Sequence, residues 1–196
     1  MVHFPLRFDS LRLLRAHRCA LTLLLFGLGG QAGCRGSAAP GEGSPLLALT
    51  SPGIQAGEIP KKHTCDGADA SPELKWSGAP AGTQSFALIA IDLDAPLGEF
   101  VHWAIYDLPA AARELPEGLP AQEQLADGSR QGRNDFGGIG YGGPCPPGSA
   151  PHRYVFRLYA LDTKLNLPAG ATRSQVEEAM KGHILAHGEL MVRYRT

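Results

Sequence analysis

The sequence predicts a mainly β fold, an antiparallel or mixed β-sandwich with a few peripheral helices. The chain has 25 Gly and 16 Pro among its 196 residues and a charged fraction of 19%, a composition that favours strands joined by turns over long helices. Several apolar runs are separated by turn residues, whereas clear helical spacing is confined to one segment. Because a sheet must bury one face, many strands and one good helix indicate packed sheets with the helix at their periphery.

The first strands are predicted from short apolar runs. Residues 46–50 form one run and residues 74–76 another, the second inside a segment, 58–82, that Pro and Gly otherwise interrupt. Residues 85–92 (SFALIAID) and 101–106 (VHWAIY) are almost continuously apolar, which is typical of strands buried on both faces. We therefore expect these two strands in the interior of the domain.

The second half of the chain begins with a long segment, 111–143, that is rich in Gly, Pro and charge and has no sustained apolar period. We expect it to be a surface excursion, and long excursions in compact domains are often functional. Residues 152–161 (HRYVFRLYAL) alternate in character, with His152 and Tyr154 on one face and Arg153 on the other. This alternation predicts a further strand.

One helix is predicted after this strand, capped by Thr172 or Ser174. The residues that recur at helical spacing and predict its packed face are Val176, Ala179, Met180, His183 and Ile184. Residues 189–194 (ELMVRY) are predicted to close the domain as a last strand.

Residues 1–33 have the features of an export signal. Four Arg precede an uncharged stretch, 19–34, that is too short and Gly-rich to span a membrane comfortably and that ends in small residues. The end of this stretch, Gln31-Ala32-Gly33-Cys34, resembles the lipobox of bacterial lipoproteins, which predicts lipidation of Cys34 and membrane attachment through it. Plain cleavage near Ala32 or Ala39 would instead leave a soluble periplasmic protein. Both alternatives predict an exported protein of the cell envelope.

Residues 34–45 are rich in Gly, Ser, Ala and Pro, which predicts a flexible tether before a folded domain at 46–196. The leader holds four of the 18 basic residues and one of the 19 acidic residues, so the remainder has 14 basic and 18 acidic residues and a net charge of −4. No basic stripe is present. The charge pattern therefore predicts no nucleic-acid partner.

Two cysteines belong to the predicted domain, Cys65 in a Thr-Cys-Asp-Gly segment and Cys145 in a Pro- and Gly-rich loop. An exported protein meets an oxidising compartment, so we predict that these two cysteines form a disulfide. The alternative is two unrelated buried thiols. Neither cysteine has the CxxC spacing of a zinc site.

Polar side chains stand at the ends of the predicted strands. Asp92 ends one strand, His102 starts the next, and His152 and Tyr154 start a third. Antiparallel neighbours bring the end of one strand beside the start of the next, so these four side chains can converge at one rim of a sheet. There they can all hydrogen-bond to one small polar ligand. Gly142-Gly143 allows a close backbone approach, and its N–H groups could hold the oxygens of an anion.

Two segments resemble the signature segments of the phosphatidylethanolamine-binding protein family, which includes the Raf kinase inhibitor proteins and their bacterial relatives. The first is 91–96 (IDLDAP), followed by Val101-His102-Trp103. The second is 142–147 (GGPCPP), followed by Pro151-His152-Arg153-Tyr154. The chain departs from the family at Leu93, where the family commonly has Pro, and at Asp69, where Asn is common.

The resemblance implies the fold of that family, a β-sandwich, and a small anion pocket that accepts phosphate-type head groups. The ligand-binding residues that it implies are Asp92, His102, His152 and Tyr154, with Gly143, Pro144 and Pro146 in the adjacent loop. It also implies a cis bond between Ala95 and Pro96. The expected partner is a small anionic or phosphorylated ligand, such as a phospholipid head group.

The leading functional hypothesis is thus an exported binding protein with no catalytic residue, cofactor or metal. A second hypothesis is an inhibitor of a protease or another protein partner, with 111–143 as the contact. A third is a hydrolase in which Asp92 and a histidine act as acid and base or bind a metal. The chain contains no HExxH, GxSxG or Walker motif, which argues against the third hypothesis.

Overall fold

The structure is a computed structural model that describes residues 46–196. The predicted export signal, the tether and Cys34 lie outside the described residues. The strands of residues 46–196 are β1 Ala48–Thr50, β2 Leu74–Ser77, β3 Ser85–Asp92, β4 Phe100–Pro109, β5 Glu114–Leu115, β6 Arg130–Gln131, β7 His152–Leu161 and β8 Ile184–Tyr194. A 3-10 turn spans Lys61–His63, and one α-helix, α1, spans Arg173–Met180 in this part of the chain.

Within the described residues the strands form two antiparallel sheets, one with the order β6-β4-β3-β7-β8 and a smaller one with the order β1-β2-β5. The small sheet packs on one face of the large sheet, where Trp76 meets Phe86 edge to face at 5.4 Å between ring centroids. The helix α1 covers the opposite face through Val176 and Met180, which pack in one cluster with Ile89. The predicted mainly β architecture with a peripheral helix is confirmed.

The central strands match their predictions most closely. All eight residues of β3 are buried, because the small sheet covers one of its faces and α1 covers the other. The strand β7 has the predicted bounds, and its alternation divides the two clusters, with Tyr154 in one and Val155 in the other. The strand β4 extends past Tyr106 to Pro109 and pairs with the start of β3.

The helix begins as predicted and ends earlier. Thr172 caps it in a reciprocal pair with Gln175, and Val176 and Met180 are buried. The prediction that His183 and Ile184 continue the helical face is wrong. Gly182 adopts a φ of 78°, which turns the chain out of the helix, and Ile184 then starts β8 five residues earlier than expected. No helix of residues 46–196 is long and apolar enough to cross a membrane.

The segment 111–143 lies largely at the surface but is tied to the sheet. It contributes β5 and β6, and its residue Gln131 is buried. The side chain of Gln131 accepts a hydrogen bond from Trp103 Nε1 at 2.9 Å and donates to the carbonyls of Pro120 and Gln122. The excursion is therefore anchored by polar contacts, which an apolar periodicity does not reveal.

Candidate functional site

The four predicted rim residues converge at one end of the large sheet. Asp92 is the last residue of β3 and pairs with Tyr154 of β7, while His102 and His152 lie near the starts of β4 and β7. All four are nearly buried, with exposed fractions of 4% for Asp92 and His102, 6% for His152 and 2% for Tyr154. Strand order explains the cluster, because β3 lies between β4 and β7 and runs antiparallel to both.

Asp92 uses both of its carboxylate oxygens. Oδ1 accepts a hydrogen bond from the backbone N–H of Asp94 at 2.8 Å, and Oδ2 accepts one from Nδ1 of His152 at 2.8 Å. An ionised carboxylate can only accept, so Nδ1 of His152 carries the hydrogen. In the neutral ring, Nε2 of His152 is then an acceptor.

His102 is held by a two-way contact with the loop that follows residue 141. Its Nδ1 donates to the carbonyl of Gly142 at 2.7 Å, and the N–H of Gly142 donates to the carbonyl of His102 at 2.9 Å. Burial lowers the pKa of His102 below its ordinary value of 6.5, although the Gly142 carbonyl and the charge of Asp92 oppose this shift. His102 is therefore neutral near pH 7, with Nε2 as an acceptor.

Tyr154 supplies a donor behind the histidines. Its hydroxyl is buried and has no hydrogen-bond partner within residues 46–196. Burial, and after it the negative charge of Asp92, raises the pKa of the Tyr154 phenol, so the phenol keeps its hydrogen. The ring meets His102 edge to face at 5.2 Å and stacks with His152 at 6.4 Å.

A cavity of about 180 Å³ opens beside Asp92 and His102, and we call it the rim cavity. Its lining residues are Asp92, Ala95, Pro96, Phe100, His102, Phe136, Cys145 and Pro147. At ~30 Å³ per water molecule, the rim cavity has room for about six waters or one small polyatomic group. His152 and Tyr154 do not line it, and they support Asp92 and His102 from within the sheet.

The Gly142-Gly143 pair makes the predicted close approach but does not offer the predicted anion donors. The N–H of Gly142 is bonded to His102, and that of Gly143 donates to Asp69 Oδ1 at 2.6 Å. The interpretation that these two N–H groups hold an anion is therefore wrong, because both have protein acceptors. A Cβ on Gly143 would lie 2.5 Å from the carbonyl oxygen of His63, so only glycine fits there.

The disulfide between Cys65 and Cys145 is present, with 5.4 Å between the Cα atoms. It joins the 142–147 loop to the segment after the 3-10 turn, and the N–H of Cys65 also donates to the carbonyl of Pro144 at 3.1 Å. Pro146 is buried beside it. Cys145 and Pro147, rather than Gly143 and Pro144, form the loop's wall of the rim cavity.

The turn after β3 is fixed by an ion pair that the sequence did not reveal. Both Nε and Nη2 of Arg153 donate to the carboxylate of Asp94, as does the backbone N–H of Arg153. These bonds lower the pKa of Asp94 to about 2. The bond between Ala95 and Pro96 is trans, so the cis bond implied by the resemblance is wrong for this chain.

Two aromatic residues of the site were missed by the sequence reasoning. Phe100 and Phe136 pack against each other at 4.7 Å, and each meets the ring of His102, at 5.4 and 5.2 Å. Phe100 immediately precedes the predicted strand β4, and this position could have placed it at the rim. Phe136 lies in the 111–143 segment and is brought to the rim by Asp135, which exchanges hydrogen bonds with the backbone of Val101.

Residues 46–196 contain no group of three or more His, Cys, Asp or Glu side chains placed to hold a metal ion. Asp92 and His152 form a close pair, whereas His102 faces Gly142 through its Nδ1. The arrangement provides a cavity lined by one buried carboxylate and one imidazole, with a second imidazole and a phenol packed behind them.

Known proteins are similar to this chain in sequence and in fold. Residues 50–195 match the family model described as phosphatidylethanolamine-binding protein. The chain is 47% identical over 156 residues to a UPF0098 protein of Aquifex aeolicus, and the match covers 78% of this chain and 91% of that protein.

Two solved structures are similar over most of the described residues. One is CT736 of Chlamydia trachomatis, described as a phosphatidylethanolamine-binding protein homolog, with a TM-score of 0.70, 41% identity, and coverage of 77% of this chain and 98% of that chain. The other is YbcL of Escherichia coli, described as a new member of the mammalian family, with a TM-score of 0.71, 35% identity, and coverage of 78% and 99%.

Proposed function

The chain belongs to the phosphatidylethanolamine-binding protein family, and on this premise we propose that its rim cavity binds small anions of the phosphate-monoester type, such as phosphorylated head groups. One observation carries the proposal. Asp92 and His102 are each only 4% exposed, yet both line a cavity of about 180 Å³. Buried polar groups that line a cavity and share a hydrogen-bond network with other titratable groups are typical of a ligand site.

Binding at this site is expected to be coupled to a proton. The neutral His102 and the carboxylate of Asp92 offer no positive charge to an anion. A protonated anion can donate a hydrogen bond to Asp92 or to Nε2 of His102. A fully ionised anion instead requires that His102 be protonated when the anion binds. Phosphate monoesters take up their second proton near pH ~6, so affinity is expected to rise as pH falls from about 8 toward 6.

We propose binding rather than catalysis at the rim. The lining residues include no serine, threonine or lysine, and Cys145 is held in the disulfide. The remaining nucleophiles in the lining are Asp92, both of whose oxygens already accept hydrogen bonds, and the neutral ring of His102. Release of phosphate from a phosphoester by the purified protein would overturn this part of the proposal.

We further propose that the domain acts in the cell envelope, held near a membrane through a lipidated Cys34. The support is the sequence of the leader, with its Arg-rich start, short apolar centre and lipobox-like end. In that setting, phospholipid head groups and small phosphorylated metabolites are the ligands available to the rim cavity.

The test is a titration of the purified, oxidised protein with inorganic phosphate and phosphoethanolamine at pH 6 and pH 8, followed by NMR. We expect saturable shifts at residues of the rim, with tighter binding at pH 6. In His102→Asn, the amide can still donate to Gly142, but the titrating ring is lost. This variant is expected to bind at least about ten times more weakly at pH 6, because a charge-assisted hydrogen bond contributes ~1.5–3 kcal/mol.

The matched control is His183→Asn. His183 is bonded to Asp162 at the far end of β7 and is about half exposed, so its loss leaves the rim unchanged. Equal weakening in both variants would contradict the proposed site. A folded protein that binds neither anion at millimolar concentration would overturn the function.

A further inference from the structure

A second, mostly apolar cavity of about 460 Å³ lies next to the rim cavity, and we call it the annex. It is lined by the turn 95–99, by Phe100 and by Asp135. Ala95, Pro96 and Phe100 line both cavities. A ligand whose polar group lies in the rim cavity can therefore extend along these three residues into the annex.

The charged residues that line the annex already have partners. Glu99 forms an ion pair with Arg173 of α1 at 2.6 Å, and Asp135 Oδ2 accepts the N–H of Val101 at 2.7 Å. The rest of the described lining is aliphatic, aromatic or glycine. The annex thus presents carbon surface, which favours an apolar group over a second charged one.

Leu97 stands at the edge of the annex and is fully exposed, with an exposed fraction of 104%. Phe136, at 54%, is exposed on the rim-cavity side. Few large apolar side chains of residues 46–196 are so exposed, and these two line neighbouring cavities, Leu97 the annex and Phe136 the rim cavity. Two exposed apolar side chains at neighbouring cavities favour a contact surface over scattered exposure.

The turn that presents Leu97 is preorganised. The N–H of Gly98 donates to the carbonyl of Ala95 at 3.0 Å, and Gly98 has a φ of 108°, which other residues rarely adopt. Asp94 at the start of the turn is held by Arg153. The turn therefore loses little conformational entropy when a ligand contacts Leu97.

We propose that the annex binds the apolar substituent of a soluble organic phosphate monoester whose phosphate lies in the rim cavity. The site then selects monoesters with a short alkyl or aryl group over inorganic anions. This inference rests on the proposed function and adds the chemical class of the ligand. The shared lining of the two cavities, the apolar surface of the annex and the exposed Leu97 carry it.

The test compares inorganic phosphate, methyl phosphate and hexyl phosphate by calorimetry at pH 6. Each fully buried methylene changes affinity about four-fold, so hexyl phosphate is expected to bind at least about ten times more tightly than methyl phosphate even if part of the chain stays in water. In Leu97→Ser this advantage is expected to shrink to about three-fold or less, with the affinity for methyl phosphate unchanged. Met191→Ser, at an exposed apolar residue of β8, is the matched control and should keep the full advantage.

The two proposals fail differently. If methyl and inorganic phosphate bind and hexyl phosphate binds no better, the annex proposal is overturned while the rim site stands. If none of the three binds to the folded protein, the proposed function itself is overturned. Leu97-dependent binding to phospholipid vesicles without a hexyl advantage would mark a membrane contact, and dissociation of a dimer by Leu97→Ser would mark a subunit contact. Either result would overturn the annex proposal.

Discussion

His102 is a buried imidazole whose surroundings keep it neutral. Burial lowers its pKa more than the Gly142 carbonyl and the Asp92 charge raise it. The folded protein thus disfavours the charged ring, and an anion in the rim cavity would reverse this preference. Stability and binding should therefore respond to pH in opposite directions at this one residue.

The stability of the ligand-free protein is expected to fall as pH drops below 6.5, the ordinary value for histidine. Below that pH, His102 is protonated in the unfolded state but not in the folded state. The free energy of unfolding therefore decreases until the pH reaches the lower pKa of the folded state. Relative to wild type, His102→Asn should lose less stability between pH 8 and pH 5, as measured by urea unfolding. His183→Asn should follow the wild type, and parallel pH profiles for all three proteins would contradict the prediction.

The rim residues could be predicted because each stands at a strand boundary that the sequence makes visible. Asp92 ends an unbroken apolar run, and His152 begins a clear alternation. The hydrogen-bond partners could not be predicted. For example, the N–H of Gly143 donates to Asp69 rather than to an anion, and these two residues are 74 positions apart in the sequence.

At the level of elements, the 142–147 loop is positioned by backbone packing as well as by the disulfide. Gly143 approaches the His63 carbonyl and Asp69 so closely that no side chain fits. Tyr141 fixes the start of the loop by donating to the same carbonyl at 2.6 Å. The loop is thus fastened on both sides of the position where Cys145 faces the rim cavity.

Gly143→Ala is expected to destabilise the protein by about 1–3 kcal/mol, because the added methyl group forces the loop or the 3-10 turn to move. The measurement is the free energy of unfolding in urea, together with phosphate affinity, which should weaken as Cys145 and Pro147 shift. Gly53→Ala is the matched control. Its added Cβ meets nothing closer than His63 Nε2 at 3.7 Å, so unchanged stability is expected there. Similar free energies for the two variants would show that the close approach at Gly143 is not restrictive.

Strands with a clear apolar signal were predicted well, including the short strands β1 and β2, whereas the two-residue strands were not predicted. A nearly continuous apolar run predicted β3, and alternation predicted β7, each with its bounds. The predicted helix was too long because His183 and Ile184 continue its apolar spacing. The turn at Gly182, with a φ of 78°, ends the helix, and apolar spacing does not reveal backbone angles. The two-residue strands β5 and β6 exist through pairing with distant partners and have no pattern of their own.

For the whole molecule, the export and lipidation of the chain remain predictions from the leader. In a bacterial host, the full chain is expected to appear in the membrane fraction and to incorporate a labelled fatty acid. Cys34→Ser should abolish the labelling and move the protein to the soluble envelope fraction, since an alkyl anchor holds a chain to a membrane through ~0.8 kcal/mol per buried methylene. Cys65→Ser is the comparison, because Cys65 is committed to the disulfide. Labelling that persists in Cys34→Ser would contradict the prediction.

The site carboxylate belongs to β3, the central strand of the large sheet, which has neighbours on both edges and cover on both faces. Amide hydrogens of such a strand exchange with solvent only when the whole domain opens, whereas loops exchange through local fluctuations. A ligand held by Asp92 stabilises the closed state by mass action. Occupancy of the rim should therefore slow deuterium uptake along the entire length of β3, including residues far from the ligand, so that the core itself reports on binding.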